Sequence, residues 1–120
     1  MSTKDFSLTS TIKINSNNQL IHVSNIYART LHTLKPVFLA EMAQIAPDPV
    51  VPWIVLGDFN LMRSHANKNS DSYRQYEADA FNDTIHALAL IDLPLLDRAY
   101  TWSNNHDQPI LQRIDRVFIN

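Results

Sequence analysis

A run of apolar residues from Val50 to Leu56 ends at Gly57, the single glycine of the 120-residue chain. Because apolar side chains occupy consecutive positions, both faces of a strand built from this run would be buried. The run therefore predicts a central strand in a sheet that is covered on both sides. Average glycine usage of ~7% would give about eight glycines. A chain with only one glycine therefore has few positions that can adopt a positive φ without steric cost. Gly57 thus indicates a place where the backbone has a special requirement.

Hydrophobic periodicity predicts an α/β fold around this strand, with strands and helices following one another along the chain. Two antiparallel strands between Leu8 and Tyr27 would be joined by the turn Asn15-Ser16-Asn17-Asn18. A first helix is predicted from Leu34 to Ala46. A second helix would follow the capping box Ser72-Tyr73-Arg74-Gln75 and bury Ala78, Phe81, Ile85 and Leu88 against the sheet. After this helix, a short strand would contain Tyr100-Thr101-Trp102, and a last strand would run from Ile110 to Ile119.

The composition limits the classes of protein to which the chain can belong. Hydrophobic residues make up 45% and charged residues 18%, which is typical of one globular domain. The net charge of −2 gives no support to non-specific polyanion binding, so any nucleic-acid contact must come from a local site. The absence of cysteine excludes disulfides, Cys-ligated zinc, iron–sulfur clusters and thiol nucleophiles. No stretch approaches the ~18 apolar residues of a membrane span, and the chain starts without an apolar leader, which predicts an intracellular protein, nuclear or otherwise, with no membrane contact.

The segment Gly57-Asp58-Phe59-Asn60 is the first candidate site. It places a carboxylate and a carboxamide at the C-terminal edge of the predicted central strand, where sites of α/β sheets usually lie. Asp58 could take a proton from water or bind a metal, and Asn60 could hold a phosphate or that water. Alternatively, the two residues only end a strand and begin a turn, as these residue types commonly do.

The segment Arg113-Ile114-Asp115-Arg116 is the second candidate, because charges inside an apolar strand need partners. Asp115 could face the same sheet edge as Asp58; alternatively, the segment is an edge strand protected by its charges. Tyr27 could direct its phenol to this edge, although packing is the commoner role. Trp102 is predicted to be a core residue. The five histidines show no metal-ligand spacing and are given no role.

Together these segments resemble the endonuclease/exonuclease/phosphatase superfamily. The resemblance rests on four ordered motifs: Trp53-Ile54-Val55-Leu56-Gly57-Asp58-Phe59-Asn60, Leu90-Ile91-Asp92-Leu93, Tyr100-Thr101-Trp102-Ser103-Asn104 and Arg113-Ile114-Asp115-Arg116-Val117-Phe118-Ile119-Asn120. Their amino-acid sequences are most similar to the endonuclease domain of plant LINE-type, or non-LTR, retrotransposons. Asn25-Ile26-Tyr27-Ala28 also fits, although Arg29 and Thr30 replace the family's proline and asparagine.

The resemblance implies a four-layer α/β sandwich of two packed sheets with outer helices, and Mg²⁺-dependent hydrolysis of a phosphodiester, with DNA as the partner in the parent family. It also implies roles for individual residues. Asp58 would be the general base or would orient the water, and Asn60 would hold the scissile phosphate and the water. Tyr27 would contact the phosphate, and Asp115 would orient a catalytic histidine.

The sequence departs from the family at both ends. The family's early strands carry an asparagine and a metal-binding glutamate, and its last loop carries a Ser-Asp-His segment; neither motif is found before Leu20 or after Asp115. We therefore expect residues 1–120 to be a single truncated domain, the C-terminal part of the family's domain, with undetermined metal ligands and little or no activity of its own. Exposed apolar sheet surface should then make it self-associate.

Two alternatives stay open. One is a non-catalytic remnant that binds nucleic acid or a protein partner. The other is an unrelated α/β domain in which Asp58 and Asp115 are structural. A structure with Asp58 and Asp115 on distant faces would eliminate the family resemblance.

Overall fold

Strands and two α-helices follow one another along the part of the chain that the computed structural model describes, residues 2–68, 74–95, 99–105, 107 and 111–120. The strands are β1 (Ser2–Thr3), β2 (Ser7–Lys13), β3 (Leu20–Tyr27), β4 (Trp53–Asp58), β5 (Ile91–Asp92), β6 (Trp102–Ser103), β7 (Leu111–Gln112) and β8 (Asp115–Ile119); the helices are α1 (Lys35–Ile45) and α2 (Gln75–Ala87), with single 3₁₀ turns at His32–Leu34 and His65–Asn67. The predicted α/β class is confirmed.

Six of these strands form one mixed sheet in the order β1-β2-β3-β4-β8-β5. β2 and β3 form the predicted antiparallel hairpin, and α1 is the crossover that makes β4 parallel to β3. β8 pairs antiparallel with β4 on one side and with β5 on the other. β8 is therefore an interior strand, and the alternative of a charge-protected edge strand is wrong. β6 and β7 pair separately as a second, two-stranded sheet.

Both helices pack on the same face of the large sheet, where Phe59 is the centre of the core. The ring of Phe59 lies 6.1 Å from that of Phe38 on α1, 5.7 Å from Phe81 on α2 and 5.2 Å from Phe118 on β8. The buried side of α2 consists of Ala78, Phe81 and Ile85, as its sequence pattern predicts. The ring of Phe59 meets Phe38 and Phe118 edge-to-face and is tilted against Phe81, which in turn meets Phe118 edge-to-face. Such aromatic contacts add to the free energy gained by burial, so they fix both helices against the sheet.

The opposite face of the sheet carries apolar residues that stay at least partly exposed. Leu56 lies opposite Val117 in the β4–β8 pairing, and neither is buried. On β2, Ile12 is 50% exposed. The expectation that β4 is covered on both faces is thus wrong for the described residues. The exposed apolar surface expected for a partial sandwich is present.

The last predicted strand is divided in the structure, while its first residue, Ile110, lies outside the described residues. Thr101 Oγ1 accepts hydrogen bonds from the backbone N–H groups of both Ile114 and Asp115, each at 3.1 Å. The carbonyl of Ile114 accepts the N–H of Phe59 at 2.9 Å. Because these partners replace strand pairing at this point, β7 ends before Arg113 and β8 begins at Asp115.

Two further predictions differ in detail. Trp102 is 44% exposed, so the core assignment is wrong, while Trp53 is 2% exposed and donates its indole N–H to Ser24 Oγ at 2.9 Å. Ser72 and Tyr73 of the capping box lie outside the described residues, and Arg74 precedes α2 without a side-chain cap. Neither helix combines the length and hydropathy that crossing a membrane requires, over the residues described.

Candidate active site

Gly57 brings β4 close to β3 at the point where the candidate site begins. Its φ is +134°, in a region that side-chain-bearing residues rarely adopt. A Cβ here would overlap the carbonyl oxygen of Ile26 and lie 2.9 Å from the Ile26 nitrogen. No flexible side chain could move to relieve this contact, because both atoms belong to the backbone. Only glycine therefore lets β4 run beside Ile26 and continue into Asp58.

Three of the four predicted site residues lie side by side on adjacent strands. Tyr27 is opposite Asp58 in the β3–β4 pairing, and Asp58 is opposite Asp115 in the β4–β8 pairing. Residues directly opposite one another project from the same face of a sheet. Tyr27 is 73% exposed, Asp115 is exposed, and Asp58 is half-buried. The arrangement that would eliminate the family resemblance, with Asp58 and Asp115 on distant faces, is therefore not found.

The fourth predicted residue, Asn60, is fixed to this group by its backbone and its side chain. Its N–H donates to Asp58 Oδ1 at 3.0 Å, closing a turn in which Asn60 has a φ of +47°. Its side-chain amide donates to the carbonyl of Ala28. In return, the N–H of Ala28 donates to the carbonyl of Asp58 at 2.8 Å. These bonds connect the segments that follow β3 and β4, so Asn60 and Asp58 are held in one rigid corner.

Lys35 is part of this corner, and sequence reasoning missed it. The residue is only 4% exposed, and its Nζ donates to the carbonyl oxygens of Arg29 at 2.9 Å and Asn60 at 2.5 Å. Burial lowers the pKa of the Lys35 ammonium, while Glu77 and Asp58 oppose this effect. A signal was available in the sequence, since a lysine in the first turn of a helix is placed unfavourably relative to the helix dipole.

The carboxyl group of Asp58 is shifted in its protonation by its surroundings. Burial raises its pKa above the ordinary value, and the neighbouring negative charge of Asp115 raises it further. The N–H of Asn60 and the ammonium of Lys35 act in the opposite direction. The Asn60 N–H donates to Oδ1, so Oδ2 is the carboxylate oxygen outside that bond. A carboxylate of raised basicity is chemically able to accept a proton from water.

The same residues offer the kind of donor that a magnesium ion prefers. The described residues contain no group of three or more histidine, cysteine, aspartate or glutamate side chains that could hold a metal. Mg²⁺, however, commonly binds through one or two carboxylates together with substrate phosphates and water. Asp58 and Asp115 supply two carboxylates side by side, and Asn60 adds an amide oxygen. The donor chemistry fits Mg²⁺ as a minimal set.

A second charged cluster surrounds Asp92 on the helix-covered side of the sheet. Its Oδ2 contacts Arg116 at 2.6 Å and Arg63 at 3.3 Å, and its Oδ1 contacts Arg113 at 3.2 Å. The sequence indicated that Arg113 and Arg116 need partners, and Asp92 is that partner. Sequence reasoning missed Arg63, because it lies in a polar stretch that is typical of an exposed loop. The available signal for this cluster was Asp92, a charged residue in an otherwise apolar stretch that needs a partner of opposite charge.

Solved structures identify the fold of this arrangement, while the sequence matches no family model and no curated protein. The endonuclease domain of TRAS1, a telomere-specific non-LTR retrotransposon, is similar with a TM-score of 0.76 and 17% identity, over 97% of this chain and 51% of that domain. The fold is that of the endonuclease/exonuclease/phosphatase proteins. Two proteins of Bacteroides thetaiotaomicron, one from that family and one a mannosyl-6-phosphatase, each match at a TM-score of 0.50 and 17% identity over 93% of this chain and 40% and 41% of theirs.

The resemblance predicted from the four sequence motifs is thus confirmed for the fold. The chain spans about half the length of the endonuclease domain that it matches. The likeness to plant LINE-type elements in particular stays a prediction.

Proposed function

We propose that this chain is the Asp58-bearing part of a Mg²⁺-dependent phosphodiesterase domain that cuts DNA, and that the 120-residue chain alone is a weak nuclease or an inactive one. The observation that carries the proposal is the row of Tyr27, Asp58 and Asp115 at one edge of the sheet. The fold supports it, since the solved structures that share the fold include a retrotransposon endonuclease domain and a sugar phosphatase. We also propose that the chain is the C-terminal part of such a domain and derives from a retrotransposon reading frame.

Asp58, Tyr27 and Asn60 would have separate roles in the reaction. Oδ2 of Asp58 accepts a proton from a water molecule, whose oxygen forms a bond to phosphorus while the bond from phosphorus to the leaving oxygen breaks. The Tyr27 hydroxyl donates to a non-bridging phosphate oxygen, where negative charge develops. The Asn60 carboxamide, fixed by Ala28, orients the attacking water.

The leaving oxygen must receive a proton, and none of these residues supplies one. The resemblance implies a histidine beside Asp115, and the proposed group of Tyr27, Asp58, Asn60 and Asp115 contains no such side chain. General acid catalysis contributes about 10²–10⁴-fold to the rate, so a chain without the acid should be slow. This is the physical reason for the low activity that we propose.

Magnesium would have an electrostatic role at this edge. Two adjacent carboxylates repel each other and repel a phosphate, as the effect of Asp115 on the pKa of Asp58 indicates. Asp115 and the phosphate would hold the ion, beside an Asp58 whose Oδ2 stays free to accept the proton, and the ion would then neutralise this charge and polarise the phosphate. Binding of DNA to this edge should therefore depend on Mg²⁺.

The experiment measures binding of a short fluorescent DNA duplex, by anisotropy, with and without Mg²⁺ at constant ionic strength. We expect Mg²⁺ to strengthen binding by the unmodified chain, and Asp58→Asn and Asp115→Asn to reduce this gain. Asp83→Asn is the matched control, because Asp83 is an exposed carboxylate on α2, away from the site. Equal effects of all three substitutions would contradict the proposed site. A DNA affinity that does not change with Mg²⁺ would also contradict it and would favour a metal-independent binding module.

A nicking assay on supercoiled plasmid tests the proposed low activity. Cleavage by the unmodified chain should stay close to that of Asp58→Asn. Strong Mg²⁺-dependent nicking that Asp58→Asn abolishes would show that the chain is a complete nuclease and would refute the missing-acid argument.

A further inference from the structure

A polar pocket of about 390 Å³ lies beside α2, on the opposite side of the sheet from Asp58 and Asp115. Along β8, Asp115 is exposed and the next residue, Arg116, is buried, so their side chains project from opposite faces. The Arg116 guanidinium lies over the ring of Phe81, 5.9 Å from its centroid, which places it on the α2 side. The pocket is thus separate from the candidate active site.

The lining of this pocket carries more positive than negative charge. Arg63, Arg113 and Arg116 contribute three guanidinium groups, and Asp92 is the single acidic residue among the described lining residues. All three arginines share that one carboxylate, at 2.6–3.3 Å. Two positive charges therefore have no acidic counterpart in the described lining.

This excess positive charge is partly buried, and a charge removed from water raises the free energy of the folded state. The side chain of Arg116 is 1% exposed, that of Arg113 is 18% exposed and that of Arg63 is 27% exposed. The pKa of Arg116 is lowered to about 10, chiefly by burial and also by the charges of Arg113 and Arg63, while Asp92 opposes the shift. Like charges brought together at reduced dielectric repel strongly, so an anion entering the pocket would stabilise the cluster.

The polar groups around the arginines favour one class of anion. Asn82 accepts the Nε–H of Arg63 at 2.6 Å and donates to the Arg63 carbonyl at 2.9 Å, so it fixes the guanidinium at the pocket wall. The imidazole of His86 also lines the pocket. Several fixed guanidinium donors around one cavity match the oxygens of a tetrahedral phosphate, which arginine binds with two parallel hydrogen bonds.

We propose that this pocket binds a phosphate group, held by Arg63, Arg113 and Arg116. The group is either a backbone phosphate of a nucleic acid or the phosphate of a small molecule. In both cases the site is a second anion site, additional to the catalytic edge.

The test titrates inorganic phosphate into the full chain without divalent metal and measures binding by calorimetry, with chloride at matched ionic strength as the reference. Arg63→Gln should weaken phosphate binding about tenfold, the loss of roughly one charge-assisted pair of hydrogen bonds. Asp92 keeps two arginine partners in this variant, so the fold should persist. Arg63→Lys should retain part of the affinity. Arg74→Gln removes one exposed arginine outside the pocket and should have no effect.

The source of the phosphate follows from competition with the DNA duplex. Displacement of phosphate by duplex, with weaker duplex binding by Arg63→Gln, supports a nucleic-acid backbone; phosphate binding that the duplex does not displace supports a small phosphorylated molecule. Binding no stronger than that of chloride, or equal losses in Arg63→Gln and Arg74→Gln, would overturn the proposal. Asp58→Asn should leave phosphate binding unchanged, so the pocket and the proposed catalytic edge can fail independently.

Discussion

Replacing Gly57 by alanine should destabilise the chain far more than one methyl group suggests. The φ of +134° is strained for alanine, at a cost of about 1–3 kcal/mol. The new Cβ would also overlap the Ile26 carbonyl, and forcing atoms into packed space costs about 1–3 kcal/mol more. The midpoint of the summed range is about 4 kcal/mol, against a total unfolding free energy of about 5–15 kcal/mol for a typical domain.

Urea unfolding followed by circular dichroism measures this difference. With an m-value of about 2 kcal/mol per molar, the midpoint should fall by about 2 M. The matched control is Asn25→Ala, an exposed position on β3, which should change the free energy of unfolding by less than about 0.5 kcal/mol. A loss below about 1 kcal/mol for Gly57→Ala would refute the argument, because it would mean that β3 and β4 can separate freely at this point.

Three further changes test other parts of the structure. Lys35→Met should lower the free energy of unfolding by about 1–2 kcal/mol in urea titrations, because it leaves two partly buried carbonyl oxygens without this donor; a neutral result would show that the ammonium is dispensable. Because the pKa of Asp58 is raised on folding, the folded state holds this proton more tightly, and that contribution to stability is lost as pH rises through the folded pKa. The stability of Asp58→Asn relative to the unmodified chain should therefore grow as pH rises above the ordinary value of 3.8, and a difference that stays constant with pH would contradict this reasoning. Ile12→Thr on the open sheet face should reduce self-association in sedimentation velocity experiments, whereas a clean monomer for the unmodified chain would contradict our expectation that it self-associates.

Local patterns in the sequence were sufficient to predict the elements that position the site. The β2–β3 hairpin, the first helix and the central strand follow from apolar spacing and turn residues, which act over a few neighbours. The juxtaposition of Asp58 and Asp115 was anticipated because both residues belong to motifs of one recognised family. Their chemical roles stay predictions.

The parts that were missed depend on contacts between distant segments. In the sequence, Lys35 has the pattern of an ordinary surface lysine, and Arg63 has that of a loop residue. Only the folded chain brings Arg29 and Asn60 to Lys35 and brings Asp92 to Arg63. The end of the last strand also depends on Thr101, whose hydroxyl takes two N–H groups away from strand pairing. Side chains that compete with the backbone for hydrogen bonds leave no periodic signal in the sequence.

The interior position of β8 determines the order in which this molecule can be assembled. β2, β3 and β4 follow one another in the sequence, with α1 between β3 and β4, so they can pair early, whereas β8 follows α2 and β5 and lies between β4 and β5 in the sheet. Until β8 is in place, one edge of β4 is open, and Asp58 has Tyr27 beside it without Asp115. During synthesis, pairing of β8 with β4 would therefore close this edge and bring Asp115 beside Asp58 in one step, so a nascent chain could not carry the paired carboxylates before the edge had closed.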